Sequence, residues 1–408
     1  MIAGVCTSRG CKRPAVQKML SSDSLPVVGP TISAVDLDLT VKCNLDCDYC
    51  FKEKSNKEMS FRTAQDAIVW LIFASIDARK LLVNFIGGEP LLRFDLIKQL
   101  VPFARRRAFQ HGKLIHFGIT TNGTIMSKQI LDFWRQWGIG FHTSIDGCPA
   151  AHDRHRHFYD GRPSSQILAR NLPKILALRP HTTARATVLP DTVKYLAESF
   201  EYFLNMGYKS VAFVPGSFPE WDRSSVEEFR EQFGIVMQRT IELFRKGTFI
   251  RLKFFDEGCE ALASGRKPQL GYQNCGAGKG MVLIDVNGDI WPCHRWSKKR
   301  EGNWRLGSIY EPNFNYDARG LINKPKTAKQ LDACRDCKAL LICTGGCPAE
   351  DLEDTGSIFG RHPKGCDLMA ALAEMIIQFH DTLYAEKNPV FMKTYYKNAR
   401  NSRGRGLK

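Results

Sequence analysis

The sequence predicts an α/β protein: a partial, open barrel of six parallel β/α units, followed by a small cysteine-rich domain. Three observations lead to this fold class. Segments with strand character alternate with helical segments through residues 34–250, which is typical of a parallel sheet covered by helices. The chain has 408 residues, enough for two or three domains. Ten of its 14 cysteines fall into two groups, one near each end.

The first expected strand covers residues 35–42, where apolar and polar side chains alternate with a period of two. Ser60 then has the residue type preferred at a helix N-cap and precedes an apolar run. Short apolar runs and longer runs of helical spacing alternate from there on. They predict strands at 81–86, 115–120, 139–145, 184–189 and 210–214, and helices at 61–78, 94–107, 127–137, 166–178, 192–206 and 226–245. In such a barrel the site lies at the carboxyl ends of the strands.

The alternation stops near residue 250, so we do not expect a full eight-unit barrel. Beyond it, short apolar runs at 282–284 and 290–291 flank Asn287-Gly288, a pair typical of hairpin turns. The expected divisions are an N-terminal extension over 1–33, the barrel over 34–250, the cysteine-rich domain over 251–380 and a basic tail over 381–408.

Charge and composition limit the possible partners. The formal net charge is +16, with part of the excess in the tail, and a basic surface attracts acidic peptides or nucleic acid. No aromatic recognition motif is interleaved with the basic residues, so nucleic acid is not the expected partner. No apolar run could span a membrane, and the N-terminus lacks the pattern of a signal peptide. We therefore expect a cytoplasmic protein whose cysteines bind metal rather than form disulfides.

The strongest chemical signal is the run Cys43-x3-Cys47-x2-Cys50, directly after the first strand. Three thiolates leave one iron of a four-iron, four-sulfur cluster without a protein ligand. The run resembles the signature of the radical S-adenosylmethionine (SAM) superfamily, in which the open iron binds SAM and reductive cleavage gives a 5′-deoxyadenosyl radical. A zinc knuckle is the alternative, but zinc sites usually have four ligands, and no Cys or His occurs in the thirty residues after Cys50.

This resemblance implies a set of SAM contacts. The candidate cofactor-binding residues are Tyr49, Gly87, Gly88, Glu89, Pro90, Asn122, Ser144, Arg156 and Val214. The Gly-Gly-Glu-Pro run matches the superfamily's motif for the SAM amino group. Its glycines allow close approach of a ligand, and Glu89 could accept hydrogen bonds from an ammonium.

The other contacts also follow from the resemblance. Ser144 and Arg156 have the spacing of a serine and an arginine that contact the nucleoside and the SAM carboxylate in related peptide-modifying enzymes. Arg185, on the fifth expected strand, is a competitor for the carboxylate. The backbone of Tyr49 and the side chain of Val214 would meet the adenine. Asn122-Gly123 is also a common turn sequence.

The C-terminal cysteines resemble the SPASM domain, which carries two auxiliary four-iron clusters. By that pattern the outer cluster would be held by Cys334, Cys337, Cys343 and Cys366, and the inner one by Cys275, Cys293 and Cys347. Many relatives have an eighth cysteine a few residues before the first, and this chain has none between Cys259 and Cys275. Either Cys259 completes the inner site, or that cluster has an open iron able to bind a substrate thiolate. The second reading is preferred, and Cys259 also fits a small buried residue.

SPASM enzymes mostly modify peptides or proteins. The resemblance therefore implies an oxidoreductase that crosslinks or dehydrogenates a peptide or protein side chain, using SAM, three clusters and an electron donor such as flavodoxin or ferredoxin. Anaerobic sulfatase-maturating enzymes, which form formylglycine, have a general-base Asp directly after the second SPASM cysteine. This chain has His294 there, and the surrounding sequence looks more like enzymes that crosslink ribosomal peptides, including thioether formers.

His294 is the candidate catalytic base, because an ordinary histidine pKa suits proton transfer near neutral pH. Asp256 and Glu257 are further acid–base candidates. Three alternatives stay open: formylglycine formation, radical oxidation of a small molecule, and a non-enzymatic zinc protein.

Overall fold

The computed structural model describes residues 31–216, 220–265, 276–298, 303–324, 332–343, 345–360 and 363–397. These residues form ten strands: β1 (Ala34–Asp38), β2 (Lys80–Ile86), β3 (Leu114–Thr121), β4 (Gly140–Ser144), β5 (Thr183–Val188), β6 (Ser210–Pro215), β7 (Arg251–Leu252), β8 (Met281–Ile284), β9 (Asp289–Trp291) and β10 (Gly307–Ser308). All ten join one sheet, in the order β10-β9-β8-β1-β2-β3-β4-β5-β6-β7.

The helices of the same residues alternate with the strands through the barrel and then continue to the C-terminal part. They are α1 (Phe61–Ala74), α2 (Phe94–Gln110), α3 (Lys128–Trp137), α4 (Pro149–His152), α5 (Ser165–Leu178), α6 (Leu196–Asn205), α7 (Arg223–Arg245), α8 (Lys253–Ser264), α9 (Tyr316–Asn323), α10 (Pro348–Thr355), α11 (Pro363–Ala385) and α12 (Pro389–Phe391). Ser60 caps α1 as predicted, because its side chain accepts a hydrogen bond from the Thr63 amide at 2.9 Å.

The predicted parallel barrel is confirmed. Strands β1 to β6 pair in chain order, each parallel to the next. The sheet also extends beyond the six expected units. Strand β7 adds to the β6 edge, and β8 pairs in parallel with β1 at the opposite edge. The expected hairpin is formed by β8 and β9, and it continues the barrel sheet.

The first strand ends earlier than predicted, at Asp38 instead of residue 42. Its continuation finds a different partner, since Val41 donates to the carbonyl of Lys57 and Met59 donates to that of Leu39. Thr40 bridges Glu58. The alternation of side chains cannot distinguish these two kinds of backbone pairing, because both keep the chain extended.

The two faces of the sheet differ in polarity. Leu81, Val83 and Phe85 of β2 are buried against the helices, as the outer face of a barrel requires. Asp36 and Asp38 of β1 lie on the opposite, inner face. This inner face surrounds the lumen of the open barrel, which therefore has polar walls.

The C-terminal helix α11 packs against α7 and α8. Phe379 of α11 makes edge contacts with Phe244 and Phe255, so α11 contributes to the same main apolar core as the barrel. Helix α11 continues to Ala385, past the expected division at residue 380. None of the described helices is long and apolar enough to cross a membrane.

Candidate functional site

The three cysteines of the first group lie in one loop that follows β1. The amide of Cys50 donates to the carbonyl of Cys47 at 3.1 Å. The Cys43 sulfur accepts from the Leu45 amide at 3.4 Å and from Asn122 Nδ2 at 4.0 Å. Such N–H groups stabilise thiolate sulfur in iron–sulfur sites. The loop therefore supplies the thiols, while its own backbone and Asn122 supply donors to sulfur.

The Gly-Gly-Glu-Pro run after β2 packs directly on the backbone that leads into this loop. A Cβ atom on Gly88 would lie 2.1 Å from the carbonyl oxygen of Lys42, and one on Gly87 would lie 2.5 Å from that of Thr40. The Gly88 amide also donates to the Thr40 carbonyl at 2.8 Å. Because neither glycine has a side chain, the two backbone segments can pack this closely, and their contact fixes the position of the cysteine loop.

Glu89 is fully buried and its carboxylate is used within the protein. It accepts hydrogen bonds from the Leu91 amide at 3.0 Å, from the Thr121 hydroxyl at 2.8 Å and from the Asn122 amide at 2.8 Å. Burial raises the pKa of Glu89 to about 7, although these three donors oppose the shift. In this arrangement the carboxylate joins the ends of β2 and β3, and the backbone of the run remains for a ligand.

Arg156 and Tyr49 meet on the carboxylate of Asp146, in the loop after β4. Arg156 donates to Asp146 through Nε at 2.7 Å and Nη2 at 3.2 Å, and the Tyr49 hydroxyl donates to the same side chain. The Thr187 amide adds a fourth bond, at 2.9 Å. Burial opposes ionisation of Asp146, but the charge of Arg156 and these donors hold its pKa below the usual range.

His152 stabilises this cluster through hydrogen bonds that involve the backbone of Asp146 and Arg156. Its Nδ1 accepts from the Asp146 amide at 3.2 Å, so the proton lies on Nε2, which donates to the Ser164 hydroxyl at 2.9 Å. Ser164 in turn donates to the Arg156 carbonyl at 2.6 Å. Burial lowers the pKa of His152 to about 4, which keeps the ring neutral near pH 7.

A cavity of about 460 Å³ opens beside Tyr49. It is lined by Asp48, Tyr49, His155, Leu189, Pro190, Asp191 and Glu220. Val214 lies on β6, in register with Thr187 of β5. Ser144 ends β4, in register with Arg185. The predicted SAM residues therefore do surround one end of the barrel, although which of them touch SAM stays a prediction.

His294 reaches the lumen from the loop after β9. Its Nδ1 lies 3.9 Å from a carboxylate oxygen of Asp36 on β1, and its ring lies 5.2 Å from that of Phe51, the residue after Cys50. Asn84 fixes the other oxygen of Asp36 with a hydrogen bond of 3.0 Å. His294 thus stands near the cysteine loop with a carboxylate beside it. The sequence does contain a signal for Asp36, because acidic residues alternate along the strand that precedes the cysteines.

Two further acid–base candidates lie away from this end of the barrel. Asp256 accepts a hydrogen bond from the Tyr395 hydroxyl at 2.9 Å and pairs with Arg251 at 3.0 Å. Glu257 lies 4.0 Å from Lys253. These contacts give Asp256 a buried structural role.

The C-terminal cysteines divide between two environments. Cys293 is buried in a second apolar cluster with Trp291 and Trp296, and Cys347 packs against that cluster. Cys259 instead is fully buried in the main core. Cys334 and Cys337 share one turn, closed by a 3.1 Å bond between backbone groups. Cys343 and Cys366 are half-buried, and Cys275 lies outside the described residues.

The cysteines of the first loop fit an iron–sulfur cluster in their chemistry. Burial raises the pKa of Cys43 to about 11 and raises that of Cys47, so a bound cation is needed to hold them as thiolates. Within the described ranges, no three His, Cys, Asp or Glu side chains converge as they would around a single metal ion. Ligands to separate irons of one cluster stand farther apart than ligands of one ion.

Comparisons with known proteins identify the family of this chain. The model of the Radical SAM superfamily matches residues 37–203. An uncharacterised protein of Methanocaldococcus jannaschii is 31% identical over 68% of this chain and 88% of its own length. The chain belongs to the radical SAM superfamily, and the resemblance seen in the sequence is confirmed.

Two relatives with named activities are more distant. The radical SAM cyclopropyl synthase TigE of Paramaledivibacter caminithermalis is 21% identical over 87% of this chain and 76% of its own length. A cysteine-type anaerobic sulfatase-maturating enzyme of Clostridium perfringens is 20% identical, over 78% of this chain and 89% of its own. The structure of native anSMEcpe with bound AdoMet and Cp18Cys peptide matches with a TM-score of 0.71 and 18% identity, covering 86% of this chain and 99% of that one. The last match shows the shared fold.

Proposed function

We propose that this enzyme uses SAM to oxidise a side chain of a peptide or protein, by crosslinking or dehydrogenation. The observation that carries the proposal is the position of His294, which follows the β8–β9 hairpin and lies in the lumen beside Asp36 and next to the cysteine loop. A substrate side chain in that lumen would lie between His294 and the cysteine loop. The sulfatase-maturating relative and the peptide-bound neighbour support a peptide or protein substrate.

Cys43, Cys47 and Cys50 would hold the cluster that cleaves SAM, and the C-terminal cysteines would hold two auxiliary clusters. When bound, the cluster and SAM supply the 5′-deoxyadenosyl radical that removes one hydrogen atom from the substrate. His294 would accept the second hydrogen as a proton. The auxiliary clusters would take up the electron that this hydrogen leaves on the substrate. The substrate then loses two hydrogens in all.

The chain's other residues would position SAM. Arg156, held by Asp146, is the candidate for the SAM carboxylate, and the cavity beside Tyr49 is the candidate for adenine. The backbone of Gly87 and Gly88 would face the amino group. Cys259 would not be a ligand, because it lies in the main core while Cys293 and Cys347 adjoin the second apolar cluster.

Iron and sulfide analysis with Mössbauer spectroscopy, on anaerobically reconstituted protein, tests the cofactor content. We compare the wild type with a Cys43→Ala, Cys47→Ala, Cys50→Ala triple variant. About twelve irons falling to about eight supports one SAM cluster and two auxiliary clusters. About four falling to none means that the C-terminal cysteines hold no cluster, and the electron path proposed above is then wrong. A colourless, iron-free protein that binds zinc would support the structural alternative.

The reaction itself is tested with deuterated candidate peptides, SAM and a reductant. Deuterium transfer into 5′-deoxyadenosine, together with a product of the unlabelled peptide that is about 2 Da lighter per bond formed, supports the proposal. Deuterium transfer only from a small molecule would contradict it.

Formylglycine formation is the second candidate, favoured by the named activity of the sulfatase-maturating relative. His294 in place of the family's Asp argues against it. The two reactions are separated by incubation with a peptide that carries a sulfatase-type Cys or Ser, since only formylglycine gives an aldehyde that reacts with a hydrazine probe.

A further inference from the structure

Arg185 is a cation without a carboxylate partner on the inner wall of the barrel. Its neighbours Ala184 and Ala186 are buried against the helices, so alternation along β5 directs Arg185 into the lumen, where its side chain is exposed. No acidic side chain is paired with it in the part of the chain that the structure describes. The strands β4, β5 and β6 contain no Asp or Glu at all.

The carboxylate of Asp146, in the loop after β4, is already used. Arg156, the Tyr49 hydroxyl and the Thr187 amide take its oxygens. Partial withdrawal from bulk water within the lumen and the repulsion of Arg156 lower the pKa of Arg185. An arginine remains protonated near neutral pH even when its pKa is lowered, so Arg185 keeps its positive charge in the lumen.

A histidine side chain lies beside it. His142, on β4, also faces the lumen, and burial together with the charges of Arg185 and Lys253 lowers its pKa. Ser144 is in register with Arg185 on one side, and the small Ala212 is in register with it on the other. The exposed guanidinium of Arg185 therefore has an imidazole nearby and a small side chain in register on each adjoining strand.

We propose that Arg185 and His142 form a subsite that binds a carboxylate of the substrate, from an acidic side chain or the C-terminus of a peptide. This inference rests on the proposed function, because a peptide carries its anionic groups as carboxylates. A guanidinium binds a carboxylate through two parallel N–H groups, and it would thereby hold the substrate in the lumen facing the wall that carries His294. A carboxylate of SAM is the competing occupant.

Direct binding tests this subsite without turnover. N-acetyl-glutamate methylamide and N-acetyl-glutamine methylamide, which differ in charge, are titrated by ligand-observed NMR onto reconstituted, SAM-loaded enzyme. We expect the glutamate probe to bind and the glutamine probe to bind at least about tenfold more weakly. Arg185→Met should weaken the glutamate probe to the level of the glutamine probe, and Arg185→Lys should retain part of the difference. Arg106→Met, at an exposed position of α2, is the matched control and should change nothing.

Three results would overturn the subsite. Equal binding of the two probes to the wild type would show that charge is not recognised. Unchanged preference in Arg185→Met would place the recognition elsewhere. A parallel fall in SAM affinity of Arg185→Met, measured by equilibrium dialysis, would assign the arginine to the SAM carboxylate. None of these readouts depends on which bond the enzyme makes, so the subsite can fail while the proposed function stands, and the reverse.

Discussion

Among single residues, His152 links pH to the geometry of the expected SAM pocket. Its folded-state pKa of about 4 is lower than its ordinary value of 6.5, so between these values the unfolded chain binds the extra proton. Stability therefore falls as pH decreases from about 6.5 towards 4. We expect this residue to cost about 2 kcal/mol of unfolding free energy between pH 7 and pH 5.

Urea unfolding of the wild type and His152→Gln at both pH values measures this effect. The variant should lose the extra sensitivity to acid, because glutamine does not titrate. His181→Gln is the control, since His181 is exposed. Equal pH dependence in the wild type and His152→Gln would show that the ring is not held neutral.

His294 carries the second prediction for a single residue. If it accepts the substrate proton, His294→Ala should lower the rate of peptide product formation by about a hundredfold or more. Asp36→Asn should have a smaller effect in the same direction, because Asp36 lies 3.9 Å from the ring and would only orient it. Product is measured by mass spectrometry against 5′-deoxyadenosine formed in the same reaction. A rate for His294→Ala within twofold of the wild type would exclude the ring as the base.

Among the structural elements, the contact between the Gly-Gly-Glu-Pro run and the cysteine loop is the most sensitive to substitution. A methyl group at Gly88 would overlap the Lys42 carbonyl, and backbone atoms cannot move aside as flexible side chains do. We expect Gly88→Ala to lose about four irons per chain, those of the SAM cluster. Gly234→Ala, in α7, has no atom near the new methyl group and should keep its iron. Full iron content in Gly88→Ala would mean that the loop adapts.

The elements also show how far sequence reasoning extends. All six barrel strands and their helices could be predicted, because each has a local pattern of period two or 3.6. Pairing of β8 with β1 could not be predicted, since nothing local in either strand specifies a partner so distant in the chain.

The candidate site shows the same limit. The cysteines and the Gly-Gly-Glu-Pro run are short motifs that the sequence displays directly. Two other features depend on tertiary structure. They are the hydrogen bonds of Glu89 within the protein and the contacts of Tyr49 and Arg156 with Asp146, which require three loops to lie close together. An Asp-Gly pair after a strand has the local features of a turn, and its burial under Arg156 is a tertiary property.

For the whole molecule, the shared core predicts cooperative unfolding. Strand β8 belongs to the barrel sheet and α11 packs on α7 and α8, so the barrel and the described C-terminal elements should lose structure together. Phe379→Ala removes a fully buried ring between Phe244 and Phe255 and should cost about 3–5 kcal/mol.

Calorimetry of the reconstituted protein measures this cooperativity. One transition is expected for the wild type, and Phe379→Ala should move it to lower temperature without splitting it. Tyr384→Ala, at a more exposed position of the same helix, should cost less. Two separate transitions in the wild type would show that the halves unfold independently.

The pairing of β1 with β8 also has a consequence for synthesis of the chain. Strand β1 leaves the ribosome early, but the strand that covers its free edge is made only after the whole barrel. At about 5–20 residues per second, that edge stays open for roughly ten seconds or longer. Unpaired edges can join those of other chains, so the nascent barrel is exposed to aggregation until residues 281–284 have emerged.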